Sequence, residues 1–565
     1  MTASTPAPPP KRWLPPPPVD GHRLRPDFPG PAVQLLLSRG IGTSQAFDQF
    51  LHPKGLPYPA ELLSGIESAV PRLVRAAQSG ETVAVFGDFD VDGITGTAIL
   101  TETLTVLGAN VIPYLPHPVA EGHGMTASAI DKLISQGATL IVTVDCGISD
   151  SDAVGFARRS GADVIITDHH TPSAERPDAI AIVNPRMQGN VYPFPELCGA
   201  GIAYKLAIAL LDSAGKPPDA SLVELAALGT VADLVPLRDE NRYLVQQGLA
   251  SLSRTQRPGL KALLRRVNLE GQPIRAEDIA FRIAPRLNSS GRMAHPETSL
   301  RLLLTRDQRE ADRLATQLEQ YNTQRRDLTS AACEIAVGRV FDLGRVPSII
   351  VIHDEAFTPG INGLVASRLA ETFNRPAVAL ARADDQHLVA SARSPGTVNL
   401  IETITQCSDL LVRYGGHAAA AGFTIRGEDF DAVATRLQGI AAAAIGLFEP
   451  EPTLEIHAEG TLDQLLSPDL ARLCAQLEPF GKENPTPLFL TRRAQVSNWG
   501  YVGARGQHLK LNVVSGGRSV DALSWNHPSD WAGYSTVDLV FKLAEDRYRG
   551  ESRTYLRIED LRPAV

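Results

Sequence analysis

Residues 82–93 read TVAVFGDFDVDG, and this stretch decides the fold of the first large domain. Its first part, Thr82–Phe86, is short, apolar and rich in β-branched residues, which is typical of a strand buried on both faces of a parallel sheet. Two more runs of this kind follow, Thr139–Val144 and Asp163–Thr167, and helical patterns separate all three. Buried strands that alternate with helices predict an α/β domain built on a parallel sheet.

Acidic residues or histidines follow all three predicted strands. A fourth segment, Gly229–Asp233, leaves an apolar helix with another acid. Because the carboxyl ends of parallel strands meet at one edge of a sheet, we expect these side chains to lie close together. They are Asp88, Asp90 and Asp92 after the first strand, Asp145 after the second, Asp168, His169 and His170 after the third, and Asp233 in the fourth segment.

Carboxylates gathered in this way disfavour one another's ionised form unless cations neutralise them. Carboxylate oxygens with one or two imidazoles, and no thiolate motif, suit Mn²⁺ or Mg²⁺ better than structural zinc. The ligands suffice for two ions, and two ions about 3.5–4 Å apart can assist an in-line phosphoryl displacement. Single acids such as Asp88 or Asp168 could instead be helix caps or turn residues. Four such segments in order favour the metal site.

The composition narrows the class of protein. The 565 residues are too many for one hydrophobic core. No apolar run approaches the roughly 18–20 residues of a membrane helix, and the N-terminus lacks an apolar signal segment. Five widely spaced cysteines without a C-x-x-C pair favour a reducing compartment, so we expect a cytoplasmic protein. The net charge of −9 neither excludes nor supports a polyanionic substrate.

The remaining patterns predict the order of the domains. Two proline clusters, Pro8–Pro10 and Pro15–Pro18, indicate an extended or disordered tail. Residues 305–340 contain no proline and no glycine before Gly338, which predicts a long charged helix. A second α/β pattern starts at Pro347–Ile352, and alternating residues near the C-terminus predict a small β-barrel. The predicted divisions are 1–68 (tail and N-terminal helices), 69–304 (first α/β domain), 305–340 (linker helix), 341–450 (second α/β domain) and 451–565 (β-domain).

The four acidic segments, GDFDVDG, TVDCG, TDHH and GTVAD, resemble in order and spacing the motifs of the DHH phosphoesterase superfamily. Later segments are similar to the bacterial single-stranded-DNA-specific exonucleases within it, and the resemblance runs from about Leu35 to the C-terminus. It implies a DHH catalytic domain, a linker helix, a DHHA1 domain and an OB-fold. These later segments are APRLNSSGRM (284–293), PGINGLVASRL (359–369), SARSPG (391–396), GGHAAAAGF (415–423) and LEPFGKENPTPLF (477–489).

The resemblance also implies roles for single residues. Asp168 would orient His169, since a ligating imidazole usually donates its other N–H to an acceptor. His170 would face the scissile phosphate as electrostatic partner or proton donor, and would act with Asp145 and Arg292 in catalysis. Asp145 would bridge the two ions. Asp88 would bind an ion directly, or would contact a residue that does. The implied metal ligands are Asp88, Asp90, Asp92, Asp145, His169 and Asp233, and the implied substrate contacts are Asn288, Arg292, Ser391, Arg393 and His417.

Two of these regions have alternative interpretations. The alanine-rich GGHAAAAGF would let the backbone approach nucleic acid closely, but it could instead be simple helix packing. The terminal barrel would bind DNA with stacking aromatics in a cationic groove, although aromatics in a small barrel are as often part of its core. The candidates there are Trp499, Tyr501, Lys510 and Trp525.

One segment departs from the family pattern. Relatives commonly carry a basic residue after the second core strand of the family's sheet, in the stretch that here lies between the first and second acidic segments, and this residue would hold the 5′ end. Here residues 114–124 read YLPHPVAEGHG, with Pro118 and Val119 where an arginine is expected. His117 or His123 could replace it in part, but a neutral imidazole is a weaker phosphate anchor than a guanidinium.

Taken together, the resemblance implies a metal-dependent 5′→3′ exonuclease that hydrolyses single-stranded DNA to 5′-mononucleotides in recombination and repair. Its partners would be a helicase and single-strand-binding protein, with no membrane. One alternative is a DHH phosphodiesterase of short oligoribonucleotides, although such relatives are typically shorter and lack a terminal β-domain. The other is an inactive DNA-binding scaffold, which the presence of every motif acid disfavours.

Overall fold

The computed structural model describes residues 11–20, 24, 28–172, 175–446, 451–503, 506–527, 531–548 and 551–564. The chain divides into two compact units. One unit combines Met1–Lys54 with Phe448–Phe480 and Asn484–Val565, and the other combines Gly55–Leu447 with Gly481–Glu483. No helix in the described ranges is long and apolar enough to cross a membrane.

A five-stranded parallel sheet forms the first half of the larger unit and confirms the predicted fold class. Successive residues of its strands enter separate cores on the two faces: Val83 and Val85 enter one, and Ala84 and Phe86 enter the other. Two outer strands escape the sequence patterns because one contains a proline and the other has only three residues. The spatial order is Asn110–Tyr114, Thr82–Gly87, Leu140–Val144, Asp163–Thr167 and Ala181–Val183.

Helices pack on both faces of this sheet. One of these helices, Val91–Leu107, follows the strand Thr82–Gly87. It begins at the GDFDVDG motif and is buried over most of its length. The others are Ile66–Ser79, Ala127–Ser135, Ser151–Arg159, Gly199–Ser213, Leu222–Ala232, Asp239–Leu252, Pro258–Arg266, Ala276–Asp278, Ala284–Met293 and Glu297–Leu304, with a 3₁₀ turn at Ala60–Leu62 and a π-helical turn at Ile279–Ile283.

A single helix of 35 residues, Gln308–Asp342, confirms the long helix predicted near residues 305–340. It starts three residues later than predicted because Asp307 caps it, with Oδ1 accepting a hydrogen bond from the N–H of Glu310 at 2.7 Å. Its first half contributes Leu314 to the core of the parallel sheet, and its last turns contribute Ala336 to a core of the second sheet. The helix therefore spans both α/β parts of this unit.

The second sheet is mixed rather than parallel. Only Ile350–His353 and Ala377–Arg382 run parallel, and the other neighbours are antiparallel. The GGHAAAAGF motif forms a β-hairpin here, so the helical alternative for it is wrong. The spatial order is Arg413–Gly416, Ala420–Arg426, His387–Arg393, Ala377–Arg382 and Ile350–His353, with helices Asn362–Phe373, Leu400–Thr405 and Phe430–Ile445 and 3₁₀ turns at Ser408–Leu410 and Gly427–Asp429.

The smaller unit is built on a closed five-stranded barrel, as predicted for the C-terminal region. The barrel closes because Phe489–Val502 pairs on both sides, with His508–Ser515 and with Thr536–Tyr548. A short strand, Ala458–Glu459, adds to it in parallel. The spatial order is Phe489–Val502, His508–Ser515, Arg518–Ser524, Glu551–Pro563 and Thr536–Tyr548, and the helices are Leu462–Leu465 and Pro468–Leu477.

The N-terminal helices, Gly30–Leu37 and Ser44–Leu51, belong to the barrel unit. Leu35 and Phe47 share a core with barrel residues such as Phe489. Ahead of these helices, a short strand pairs with a strand that precedes the barrel. In that pair Arg12–Leu14 lies parallel to Thr453–Glu455, and Trp13 Nε1 donates a hydrogen bond to Asp560 Oδ2 at 2.7 Å. Pro15–Pro18 follows without helix or strand, and Pro8–Pro10 lies outside the described residues.

A buried ion pair holds the helix that carries the first acidic motif. The guanidinium of Arg257 is 2 % exposed and donates to both carboxylate oxygens of Glu102, at 2.8 and 2.6 Å. From the protein surface, Arg306 donates to Glu102 as well, at 2.7 Å. The same carboxylate therefore has one buried and one exposed cationic partner.

We predict that Arg257→Ala lowers the free energy of unfolding by about 3–5 kcal/mol, because it leaves a carboxylate without its buried partner. The matched control, Arg306→Ala, should lower it by about 1 kcal/mol or less, since exposed ion pairs contribute little. Urea unfolding followed by circular dichroism measures both. Equal losses of unfolding free energy in the two variants would contradict the assignment of Arg257 as the partner that contributes more to stability.

Candidate metal centre

Backbone hydrogen bonds place the three strand-end segments side by side. The first acid after each strand donates its N–H to the last residue of the neighbouring strand, so the ladder of the sheet continues to the acidic residues themselves. The pairs are Asp88 to Val144 at 3.1 Å, Asp145 to Thr167 at 3.0 Å and Asp168 to Val183 at 3.1 Å. The predicted convergence of these segments at one edge of the sheet is therefore present.

Helix N-termini support the other two acids of the first motif. Asp90 caps its helix, with Oδ1 accepting from the N–H groups of Asp92 at 2.9 Å and Gly93 at 3.1 Å. Asp92 is completely buried and accepts from the N–H groups of Gly199 at 2.6 Å and Ala200 at 2.8 Å, at the start of another helix. Both helix ends favour negative charge.

Two glycines and one unusual backbone conformation make room for the carboxylates. A Cβ at Gly199 would lie 2.5 Å from the Cβ of Asp145, and a Cβ at Gly229 would lie 2.6 Å from Asp92 Oδ1. Asp145 itself has a φ of 63°, in the left-handed region that residues with side chains rarely adopt. Strain of this kind persists where the surroundings enforce it, commonly at functional sites.

His169, from the third segment, lies close to the acids of the second and fourth segments. His169 Nε2 lies 3.0 Å from Asp145 Oδ1 and 3.7 Å from Asp233 Oδ2, and His170 Nδ1 lies 4.0 Å from Asp145 Oδ1. Asp145 and His169 each belong to two of three overlapping sets of potential ligands, whose atoms lie within 4.8 Å of one another in each set. The sets are Asp145, His169 and His170; Asp92, His169 and Asp233; and Asp88, Asp90 and Asp145.

The acids of this cluster raise one another's pKa. Burial, together with the charges of Asp88 and Asp92, raises the pKa of Asp90 to about 7. Burial and the charges of Asp92 and Asp90 raise the pKa of Asp233 to about 8. Burial and four neighbouring carboxylates raise the pKa of Asp145 well above its ordinary value. Without added positive charge, these groups cannot all ionise together at neutral pH.

The donor atoms fit a divalent cation. Asp88 Oδ1, Asp145 Oδ1 and His169 Nδ1 are buried and have no hydrogen-bond partner among the described residues. Burial, with the charge of His170, lowers the pKa of His169 to about 3, so its imidazole is neutral and keeps a lone pair for a metal. A set of carboxylate oxygens with one or two imidazoles suits Mn²⁺ or Mg²⁺.

Asp168 holds the ring of His170 and not that of His169. Asp168 Oδ1 lies 2.7 Å from His170 Nδ1 and accepts the backbone N–H groups of both histidines, while Oδ2 accepts from Ile148. The expectation that Asp168 orients the His169 imidazole is therefore corrected. Burial alone would lower the pKa of His170, but the hydrogen bond and charge of Asp168 outweigh it and raise this pKa to about 9. In the metal-free protein, this pKa favours the protonated form of the His170 imidazole at neutral pH.

Asn288 and Arg292 lie one turn apart on the helix Ala284–Met293 and so share a face. Arg292 Nη1 donates to the carbonyl of Gly360 at 3.0 Å. Burial, together with the nearby guanidiniums of Arg325 and Arg393, lowers the pKa of Arg292 to about 10. Arg292 also feels the charge of Asp90, which places it within electrostatic reach of the acidic cluster.

The second sheet brings the remaining expected substrate contacts to the same region. The ring of His417 stacks on that of His170, with centroids 6.0 Å apart and planes 9° apart. Arg393 is charge-coupled to Arg292, and Ser391 lies on the same strand two residues before it. Ser391 Oγ donates to Asn362 Oδ1 at 2.9 Å. The structure therefore gathers all five expected substrate residues around one region of the larger unit.

Sequence reasoning overlooked two residues in this region. Asn362 binds both Ser391 and the carbonyl of Val389, and its place in the PGINGLVASRL segment was the available signal. Arg325 lies in the long helix, where many charges alternate, and nothing in that pattern singles it out. Only the fold brings Arg325 close to Arg292.

In the barrel unit, Trp499 and Trp525 are about half exposed, at 47 % and 51 %. Lys510 forms an ion pair with Asp521 at 2.9 Å. The ring of Trp525 contacts that of His508, with centroids 4.4 Å apart. The two half-exposed indole rings offer surface on which bases could stack.

Comparison with known proteins agrees with this arrangement. The sequence matches the DHH family, N-terminal domain, over residues 82–230, the DHHA1 domain over 346–443 and the RecJ OB domain over 456–560. It is 35% identical over 534 residues to the single-stranded-DNA-specific exonuclease RecJ of Bacillus subtilis, with 94% of this chain and 67% of that protein covered. The RecJ of Salmonella typhimurium is 34% identical, with 95% and 96% covered. The chain belongs to the RecJ family.

A solved RecJ structure supports the same membership. The crystal structure of Thermus thermophilus RecJ in complex with Mn²⁺ matches with a TM-score of 0.82 and 32% identity, covering 98% of this chain and 79% of that one. The same Thermus protein has also been solved in complex with Mg²⁺. Both metals are the ones that the donor atoms of this RecJ-family chain suit.

We predict that Mn²⁺ stabilises this RecJ-family protein through Asp145. At a Mn²⁺ concentration of about 100 times the dissociation constant, linkage gives about 2.7 kcal/mol of added stability. Asp145→Asn should remove this gain, because the substitution keeps the size of the side chain but takes away a carboxylate that belongs to two of the three ligand sets. Thermal unfolding with and without Mn²⁺ measures the effect, and the exposed Asp131→Asn is the control. Full stabilisation of the Asp145→Asn protein by Mn²⁺ would rule out this ligand.

We also predict that the acidic cluster makes the metal-free protein less stable as the pH rises. Asp90 and Asp233 keep their protons up to pKa values of about 7 and about 8 in the folded chain, against an ordinary value of 3.8. The folded state therefore binds more protons than the unfolded state across this window, so stability falls as pH increases through it. Urea unfolding in chelator measures this as the difference from the Asp90→Asn/Asp233→Asn protein, which cancels other titrations. The prediction would be contradicted if the free energy of unfolding of the wild-type protein, relative to that of the substituted protein, increased with pH.

Proposed function

We propose that this protein is a metal-dependent 5′→3′ exonuclease that hydrolyses single-stranded DNA to 5′-mononucleotides. The observation that carries the proposal is the cluster of buried acids and imidazoles, with orphaned donor atoms, at the edge of the parallel sheet. Family membership supports the substrate class, because the curated relatives are single-stranded-DNA-specific exonucleases.

Two Mn²⁺ or Mg²⁺ ions are the cofactors that we propose. Asp88, Asp90, Asp92, Asp145, His169 and Asp233 would hold them, and Asp145 would be shared because it belongs to two of the ligand sets. When bound, such ions lower the pKa of water and offset the charge of a phosphoryl group under attack. The left-handed backbone of Asp145 fixes its position for this role.

Three side chains of the protein would handle charge and protons at the scissile phosphate. His170 is cationic at neutral pH because of Asp168, so it would donate a proton or hydrogen bond to the leaving oxygen. Arg292 is held by the Gly360 carbonyl and would offset charge on the phosphate in the transition state. His417 stacks on His170 and would keep that ring in place.

Further contacts would bind the DNA strand at a distance from the scissile phosphate. Asn288, Ser391 and Arg393 would bind phosphate or sugar groups. In the barrel unit, Trp499, Tyr501 and Trp525 would stack on bases. Stacking is tolerant of sequence because every base has a flat face, as a general exonuclease requires.

In the cell, the proposed activity belongs to DNA recombination and repair in the cytoplasm. A helicase would supply the single strands, and a single-strand-binding protein would accompany them. Five free cysteines support a reducing compartment.

We predict that Asp145→Ala abolishes Mn²⁺-dependent degradation of single-stranded DNA while DNA binding is largely retained, because the acid holds metal rather than DNA. Digestion of strands labelled at either end in Mn²⁺ or Mg²⁺ measures polarity and cofactor together. The 5′-labelled strand should release its label at once as a mononucleotide. Asp131→Ala, at an exposed helix position, is the control.

Comparison substrates separate the alternatives. Faster hydrolysis of di- to tetranucleotide RNA than of long single-stranded DNA would favour an oligoribonucleotide phosphodiesterase. Binding of DNA without cleavage in either metal would favour the inactive scaffold. Early release of a 3′ label would overturn the proposed polarity.

A further inference from the structure

Arg413 has an exposed cationic side chain with no acidic partner in the part of the chain that the structure describes. It lies at the start of the edge strand Arg413–Gly416, and no carboxylate of the described residues lies within 4.0 Å of its guanidinium. Its Nε donates to the hydroxyl of Thr424 at 3.2 Å, and Thr424 is its partner in the strand register. One edge of the guanidinium is therefore fixed by the hairpin, and its outer amino groups face away from that bond.

The guanidinium lies directly against the backbone of the loop 117–124. A Cβ added at Gly122 would be 3.1 Å from Arg413 Nη1 and 3.9 Å from Cζ. Gly122 also has a φ of +80°, which side-chain-bearing residues rarely adopt. The conformation therefore favours glycine at this position, and the guanidinium of Arg413 lies close to the space that a Cβ would occupy.

This loop reaches the metal centre one residue later. His123 Nδ1 lies 3.5 Å from Asp88 Oδ1, and the His123 ring contacts that of Phe89 with centroids 4.4 Å apart. The hairpin that carries Arg413 also reaches the centre, through the stacking of His417 on His170. Arg413 therefore lies next to the loop and on the hairpin, and both of these segments contact residues of the metal centre.

The two histidines of the loop already have partners. His117 Nδ1 accepts the N–H groups of Val119 and Ala120, both at 3.2 Å, so its ring is engaged by its own turn. His123 already faces Asp88. A guanidinium is always charged and offers a planar set of donors that matches a phosphate group. Arg413 is therefore the group best suited to bind an anion where the loop meets the hairpin.

We propose that Arg413 binds a phosphate group of the single-stranded DNA substrate beside the metal centre, against the loop 117–124. This inference rests on the proposed function. The bound strand would then contact both α/β parts of the larger unit, with the acids contributed by the first sheet and Arg413 by the second. Loss of this contact should weaken binding of the strand and leave the chemical step unchanged.

Full-length Arg413→Ala, Arg413→Lys and Arg382→Ala proteins test the proposal. Arg382 is the matched control because it is an arginine of the same sheet whose charge Glu355 already neutralises, at 2.7 Å. Binding to a fluorescent oligothymidylate is measured by anisotropy over a range of salt concentrations, with each substitution placed in the Asp145→Ala protein so that the strand is not cut. Turnover in Mn²⁺ is measured separately without Asp145→Ala.

Arg413→Ala should weaken binding about ten-fold or more, as expected for loss of a hydrogen bond to a charged group. It should also reduce the slope of log affinity against log salt by about 0.7, the value for one phosphate contact on a single strand. KM should rise with kcat unchanged, Arg413→Lys should keep the salt slope but recover only part of the affinity, and Arg382→Ala should behave as the unsubstituted protein.

Oligonucleotides with a 5′-phosphate or a 5′-hydroxyl identify which phosphate is bound. A loss confined to the 5′-phosphorylated strand assigns Arg413 to the terminal phosphate, and an equal loss on both strands assigns it to an internal phosphate. Affinity and salt slope equal to those of Arg382→Ala would overturn the inference. Failure of the wild-type protein to degrade DNA would instead overturn the proposed function, since the binding comparison does not depend on cleavage.

Discussion

Repulsion among buried carboxylates is the constraint on which the site depends. Asp90, Asp145 and Asp233 have raised pKa values because burial and neighbouring acids disfavour their ionised forms. The folded chain tolerates this repulsion because a sheet edge and two helix N-termini hold the acids in place. Such a site favours binding at the expense of metal-free stability, a balance common at functional sites. Divalent ions would therefore supply the positive charge that offsets the repulsion among these carboxylates.

The two adjacent histidines show how small differences in surroundings divide chemical roles. Burial and a neighbouring cation keep His169 neutral, with a pKa of about 3, whereas Asp168 keeps His170 protonated, with a pKa of about 9. One ring can therefore offer a lone pair, and the other can offer a proton. Paired groups whose environments separate their pKa values in this way are a general device for assigning acid and base roles.

Much of the fold and the acidic cluster could be predicted because both follow from local patterns. Apolar runs ending in acids indicate parallel strands whose ends converge, and the structure places Asp88, Asp145 and Asp168 accordingly. The partner of Asp168 could not be predicted, because side-chain torsions decide which of two neighbouring rings it meets. Nor could the contact of Arg413 with Gly122, since residues almost three hundred positions apart meet only through tertiary packing.

The pairing of Arg12–Leu14 with Thr453–Glu455 has a consequence for biosynthesis. As the ribosome extends the chain, the almost continuous unit Gly55–Leu447 can fold as soon as it emerges. The first strand and its neighbouring helices must wait for their partners until more than four hundred further residues have been translated. During that interval Leu35 and Phe47 lack the barrel core that later buries them, so this segment exposes apolar side chains to which a chaperone can bind.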